Sequence, residues 1–425
     1  MSNPSSTHLS RRRFLGLSAA AAVAAPWIVP SSVLGGAGNT PPSERITVAG
    51  IGMGGQGRRV FSAVARSPNV QAVAVCDVFK DQRERAASQH NCRAYTDYRE
   101  LLARGDIDAV MIATPDHWHG PMVVAAARAG CDIYCEKPLS LTIHEARQMV
   151  RAVRRHHRVF QTGSQQRSAA NFRRACELVR SGYIGQVKEV WAAVGGPSRP
   201  CHHLPAEPVP EGLDYELWLG PAPFEPYHRE RISGEIGGRS GWRAWFDYSG
   251  GMMTDWGAHN FDIAQWGLGM DDSGPVEVLP PVEGRSAAEG RPLTFRYANG
   301  IPLYRGNGPF RGAVQFIGSE GRIGVSRGRL WSDPEALLQI RLRPDDVHLE
   351  DSRHHVHNFI ECIRTRRKPI CDVEIGCHSV NVCHVGNIAL WLNRPLRWDP
   401  AAEQFIDDAD ANRWLRRAMR EPYGL

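Results

Sequence analysis

The chain has 425 residues, 42% of them hydrophobic and 23% charged, with 42 Gly and 29 Pro, which excludes a disordered or collagen-like polypeptide and suits two or three globular domains. Its formal charge of +6 includes the contribution of Arg11, Arg12 and Arg13, and no acidic residue precedes Glu44, so the remainder is only mildly basic and nucleic acid is not indicated as a partner. Ten cysteines are scattered without a CxxC pair, so no disulfide framework is needed to explain the fold.

Residues 10–15 read SRRRFL and lead into an apolar run over 14–29. Paired arginines followed by a weakly hydrophobic stretch form a twin-arginine export signal, so residues 1–44 are read as signal and linker. This implies a passage through the twin-arginine translocase to the periplasm or beyond, with an uncleaved membrane anchor as an alternative. Because that route carries folded proteins, it favours a tightly held cofactor.

The β-branched run at 46–49 is followed by a glycine-rich turn and a helix over 58–66. Gly50, Gly52 and Gly55 are spaced GxGxxG, with Gly54 and Gly57 offering an offset second match. Glycines here let the backbone turn tightly, approach a pyrophosphate and aim helix N-terminal amides at it. A second strand over 70–76 ends at Asp77, placed to accept hydrogen bonds from the adenosine ribose hydroxyls. A carboxylate there repels a 2′-phosphate, which favours NAD; Lys80 and Arg83 keep NADP open. Alternating helices and strands continue through 81–87, 98–103, 109–113 and 132–135, giving a Rossmann domain over 45–165. The strand over 109–113 ends in Thr114, Pro115, Asp116, His117, Trp118 and His119, and the next ends in Glu136, Lys137 and Pro138, so both loops should meet over the nicotinamide. Trp118 offers a ring to a sugar or cofactor face.

A strand from Val159 leads into a helix, with Gln165, Gln166 and Arg167 at the junction as candidates for cofactor amide and substrate hydroxyl contacts. Further strands are predicted over 187–194, 294–297, 314–317 and 322–326. Between 195 and 250 lies a long irregular stretch rich in Pro and aromatics, from which His203, Trp242 and Arg243 are the substrate candidates. DWGAHNFDIAQWGLG has helical apolar spacing, which puts Asp255 and His259 on one face as an i, i+4 pair. Helices follow over 356–364 and 375–392. Cys371, Cys377, His378, Cys383 and His384 read as core and no metal is expected; His354, His355 and His357 form a lesser cluster. The basic tail after 410 reads as a solvated amphipathic helix.

With GIGMGGQG, TPDHWH, EKPLSLT and DWGAH in this order, the sequence resembles the Gfo/Idh/MocA oxidoreductase family over nearly everything from Arg45 onward. The resemblance implies an α/β protein: a Rossmann domain, then a domain over 166–425 whose open, mainly antiparallel sheet walls the substrate site and often forms a homo-oligomer interface. It also implies that Lys137 and His259 handle the proton, and that Asp255 binds a neighbouring hydroxyl and orients the histidine; His119, on the histidine after TP, either packs under the nicotinamide or caps the helix near Gly120. Together with Gly50, Gly52, Gly55 and Asp77, the cofactor set is then Thr114, Pro115, His119, Glu136 and Gln165. The expected activity is NAD(P)-dependent oxidation of a sugar, polyol or glycoside CH–OH group. The alternatives are a glycoside hydrolase that oxidises transiently, using bound NAD, and a non-catalytic binding protein.

Overall fold

The inner strands of the first sheet are short and buried on both faces, which is why several read as unbroken apolar runs. The sheet's strands are β1 (Ile46–Ile51), β2 (Val70–Cys76), β3 (Arg93–Tyr95), β4 (Ala109–Ile112), β5 (Asp132–Cys135) and β6 (Phe160–Thr162), all paired in parallel in the order β3-β2-β1-β4-β5-β6. The order reverses between β1 and β4, and there the carboxyl ends of the strands open a crevice. These features come from a computed structural model that describes residues 41, 44–200, 204–234, 241–282 and 290–425. The arginine-rich segment expected to be an export signal lies outside the described residues.

A second sheet has nine strands in the order β13-β12-β11-β7-β10-β9-β8-β14-β15. The predicted strands appear as β7 (Val187–Ala192), β9 (Thr294–Arg296), β11 (Val314–Gly318) and β12 (Arg322–Ser326). Five others, β8 (Glu277–Leu279), β10 (Pro302–Arg305), β13 (Arg329–Asp333), β14 (Leu396–Asp399) and β15 (Gln404–Phe405), are too short or too polar to announce themselves. Only the β7–β10 pair is parallel. The helices Ala170–Arg180, Gly257–Leu268 and Val373–Leu392 cover one face of this sheet and supply its core.

The helix Val373–Leu392 serves both cores at once. Its first turns put Val373, Cys377 and Val380 among the Rossmann side chains, and its later ones put Val382, Cys383, Val385 and Ile388 behind the second sheet. The helix His355–Thr365 likewise returns to the first sheet through Val356, Phe359 and Ile360. One continuous helix buried in two cores fixes the two sheets relative to each other and so sets the width of the crevice.

The tail is not the solvated helix predicted. It is helical only over Ala409–Arg413, beyond which Arg417 stacks 3.6 Å from the Phe246 ring centroid and donates to the Phe246 carbonyl. Tyr423 then meets the Trp118 ring edge-on at 5.2 Å. Flat apolar stems and rings let a basic sequence pack onto the protein this way. The nine described cysteines are all free, and among the described residues no three potential metal ligands come together. No helix among them is long and apolar enough to cross a membrane.

Candidate active site

The helix after β1 begins at Gly55, three residues earlier than its apolar pattern suggests, with Gly54 in the capping position. No side chain caps its first amides and its first turn carries no acid, so the helix N-terminus is left open to the crevice. Gly52 has φ +84°, and a Cβ there would stand 2.7 Å from the Ala113 carbonyl group; a Cβ on Gly57 would stand 1.8 Å from the Gly52 oxygen. The working frame of the fingerprint is therefore Gly52, Gly54 and Gly57. Gly50 is corrected to a strand residue packed on Met53 and Phe61, away from the crevice, whereas Gly55 lines it with open space beside its Cα. A glycine cradle under uncapped amides fits a dinucleotide pyrophosphate.

Asp77 lines the same cleft, which has a volume of ≈ 930 Å³. One carboxylate oxygen accepts from the Met53 amide at 2.6 Å and the other from the Phe79 amide at 2.8 Å, so this side chain ties the glycine turn to the loop after β2. Burial pushes its pKa up, and those amides together with Arg83 and Arg58 pull it back. Asp77→Asn offers only one acceptor oxygen and leaves one of the two amides unpaired. We expect it to weaken NAD binding by roughly tenfold and to narrow the NAD/NADP preference, read by titrating each nucleotide against tryptophan fluorescence. An unchanged preference would remove Asp77 from the ribose site.

Thr114, Pro115, Glu136 and Gln165 also line the cleft. Buried Glu136 accepts from Gln56 at 2.8 Å and from Gln165 at 2.9 Å, a frame across the carboxyl ends of β1 and β5 in which Gln56 was not foreseen. Desolvation raises the Glu136 pKa against the pull of Gln56 and Lys137.

At the far end Lys137 donates to the Asp255 carboxylate at 2.6 Å and to the Asp255 backbone carbonyl at 3.0 Å. The second bond explains a break that the helical pattern concealed. The helix Met252–Asp255 ends there and a new one, Gly257–Leu268, starts, because the His259 amide reaches the Trp256 carbonyl at 3.1 Å and leaves that of Asp255 to the lysine. Asp255 and His259 thus belong to two successive helices, and the carboxylate orients Lys137 rather than the histidine. His259 is buried, its Nδ1 has no hydrogen-bond partner among the described residues, and Trp256 meets its ring edge-on at 6.0 Å. Burial, reinforced by the charges of Lys137 and Arg327, holds its pKa well below the usual value, so the imidazole is neutral.

The remaining candidates divide. Trp242 and Arg243 line the cleft, with the guanidinium 4.2 Å from the Trp242 ring centroid and 3.6 Å from the Asp255 carboxylate. Trp118 borders it, but its indole N–H is committed to the Leu217 and Trp218 carbonyls. His119 is corrected to a strut behind the cleft: its ring nitrogens face the Pro138 and Thr114 carbonyls at 2.8 and 3.0 Å, joining the two loops, and burial lowers its pKa to about 4. Arg167 is corrected to an interior ion pair, bound by Asp262 and Asp271 and 1% exposed. His203 lies outside the described residues. Sequence reasoning missed Trp256 and Arg327, which face the substrate end, and gave no role to buried Asp116, which accepts from Ser249 at 2.7 Å. Burial pushes the Asp116 pKa up to about 7.

Residues 45–164 match the profile described as "Oxidoreductase family, NAD-binding Rossmann fold", and residues 194–425 match "Oxidoreductase family, C-terminal alpha/beta domain", both of the Gfo/Idh/MocA type. The chain belongs to the Gfo/Idh/MocA oxidoreductase family. It is accordingly an NAD(P)-dependent oxidoreductase, and its Rossmann domain is the NAD-binding one. A scyllo-inositol 2-dehydrogenase (NAD(+)) of Bacillus subtilis (strain 168) is 24% identical over 80% of this chain and 94% of its own length. A 2,7-anhydro-N-acetylneuraminate hydratase of Mediterraneibacter gnavus is 30% identical, but over only 34% of this chain and 38% of its own. Among solved structures, an aldose-aldose oxidoreductase from Caulobacter crescentus shares the fold with a TM-score of 0.58 and 19% identity, covering 83% of this chain and 99% of that one.

Proposed function

We propose that this oxidoreductase is exported and oxidises a CH–OH carbon of a sugar, polyol or glycoside, with Lys137, Asp255 and His259 handling the hydroxyl. The observation that carries the reading is the Lys137–Asp255 contact of 2.6 Å in the same cleft as a buried, neutral histidine and the glycine cradle. A bound nicotinamide supplies the two-electron acceptor for the hydride. Lys137, held by one carboxylate oxygen and the backbone carbonyl of Asp255, donates to the substrate oxygen and stabilises the charge that develops on it. The neutral imidazole of His259 takes the hydroxyl proton as the hydride leaves the carbon, and releases it to solvent water. Trp242 and Trp256 offer apolar faces to sugar C–H groups, and Arg243 offers donors to hydroxyls. Glu136 and Gln165 are the polar groups available to the cofactor amide.

The arginine-rich leader favours a closed redox cycle, since free nucleotide is scarce outside the cytoplasm. Transient oxidation followed by elimination from a glycoside is therefore the second reading, and the partial likeness to a protein named as a hydratase supports chemistry without net oxidation. Tight retention of the cofactor and homo-oligomer formation through the second sheet belong to the same proposal.

The test uses purified protein with no added nucleotide, challenged with sugars, polyols and nitrophenyl glycosides. A rise at 340 nm, with carbonyl product in equal amount, supports the dehydrogenase. Continued nitrophenol release without net nucleotide change would replace it by the redox-neutral reading, and neither signal from a nucleotide-loaded protein would sink both.

A further inference from the structure

Arg327 is the first of two residues in the turn between β12 and β13, where Ser326 pairs with Arg329 and Gly328 takes φ +72°. The Asn171 side chain holds that turn by donating to the Ser326 carbonyl at 2.6 Å and to the Arg329 carbonyl at 3.2 Å. A pinned hairpin thus delivers a guanidinium to the substrate end of the cleft, 5.0 Å from the Trp256 ring centroid.

The other charges at this end are engaged. Asp255 is held by Lys137 and approached by Arg243, Arg243 donates to the Gly234 carbonyl at 3.1 Å, Glu136 accepts from Gln56 and Gln165, and Arg59 donates to Gln56 at 2.6 Å. Among the described residues Arg327 makes no hydrogen bond or ion pair; its guanidinium lies over the Trp256 ring. Arg58, the other cleft guanidinium without a side-chain bond, belongs to the first turn of the glycine-rich helix near Asp77, on the nucleotide side. Among the described residues lining the substrate end, Arg59, Lys137, Arg243 and Arg327 stand against two carboxylates, Glu136 and Asp255. Partial burial and the charge of Arg59 lower the Arg327 pKa, against the opposing pull of Asp255 and Glu136. A guanidinium laid on an aromatic face with its donors uncommitted is suited to a planar anion.

We infer that the substrate is an acidic sugar or polyol whose anionic group is received by Arg327, with Trp256 beneath the guanidinium. This rests on the reading of the cleft as a sugar-oxidising site and narrows its substrate class. Neutral sugars would leave an excess of positive charge in the cleft uncompensated, whereas a carboxylate or phosphate completes it.

The experiment titrates the nucleotide-loaded protein with matched pairs: D-glucuronate against D-glucose, D-galacturonate against D-galactose, D-gluconate against D-glucitol, and glucose 6-phosphate against glucose. Tryptophan fluorescence reads binding and 340 nm absorbance reads oxidation. At least one acid should bind on the order of 30-fold more tightly than its neutral twin. Arg327→Gln should collapse that ratio, and Arg327→Lys should keep part of it; which acid wins separates carboxylate from phosphate. The inference is overturned if no acid outbinds its twin, if the ratio survives in Arg327→Gln, or if that variant loses NAD instead of the ratio. An acid bound through Arg327 but never oxidised would sink the oxidoreductive reading of this end alone. Equal oxidation of acid and twin would sink the charge inference alone.

Discussion

Replacing Lys137 by methionine should lower turnover by roughly a thousandfold while leaving the nucleotide bound. The stem length is kept, so the loss is that of one nitrogen. That nitrogen touches both the side chain and the backbone carbonyl of Asp255, and it lies in the cleft beside His259, whose pKa it depresses. The glycine cradle and Asp77 are built from other segments and should hold NAD unchanged. Asp255 is not stranded by the change, because Arg243 stands 3.6 Å away, so the fold should survive. Comparing kcat at 340 nm with nucleotide affinity by fluorescence separates the two halves of the expectation. Normal kcat with the substrate that reduces wild-type enzyme would move the chemistry away from this lysine. A parallel loss of nucleotide would make it a cofactor ligand instead.

The sequence disclosed those groups whose position depends on local spacing. Strand, glycine turn and helix recur with a period that only a parallel sheet explains, and the loops at Thr114 and Glu136 follow from the sheet once its strands are placed. That Lys137, Asp255 and His259 line one cleft was expected from motifs that come in a fixed order. The glycine frame was not, since residues 50–57 satisfy two registers and only the φ of Gly52 and the approach of Gly57 to its oxygen choose between them. The helix break at Trp256 was also hidden: the apolar pattern runs straight through it, and the cause is a lysine 118 residues earlier claiming a carbonyl. Arg327 had no local signal whatever. A charged residue in a tight hairpin is the ordinary solvated case, and only the packing of the second sheet brings this one to the cleft. Asp116 sat inside a recognised motif, yet its partner Ser249 comes from a stretch with no regular pattern.

Arg167 shows the opposite error, in which a polar run at a strand-to-helix junction imitates a site, and it carries the largest stability effect we expect. Its guanidinium meets Asp262 at 2.8 Å and Asp271 at 2.6 Å and lies 5.1 Å from the Trp266 ring centroid. Asp262 also accepts from Ser379 at 2.6 Å and is wholly buried. Arg167→Met should cost about 3–5 kcal/mol, because it leaves a carboxylate in the interior without its cation. Removing that carboxylate as well, in Arg167→Met/Asp262→Leu, should restore part of the loss. Burial already pushes the Asp262 pKa up and Arg167 opposes it, so without the arginine the folded state binds a proton that the unfolded state releases. A folded-state pKa above the unfolded one makes stability fall as pH rises, so the deficit of the single variant should be larger at pH 8 than at pH 5. Denaturant midpoints at the two pH values measure this directly. A substrate contact would instead raise KM at unchanged midpoint, and that result would return Arg167 to the binding site.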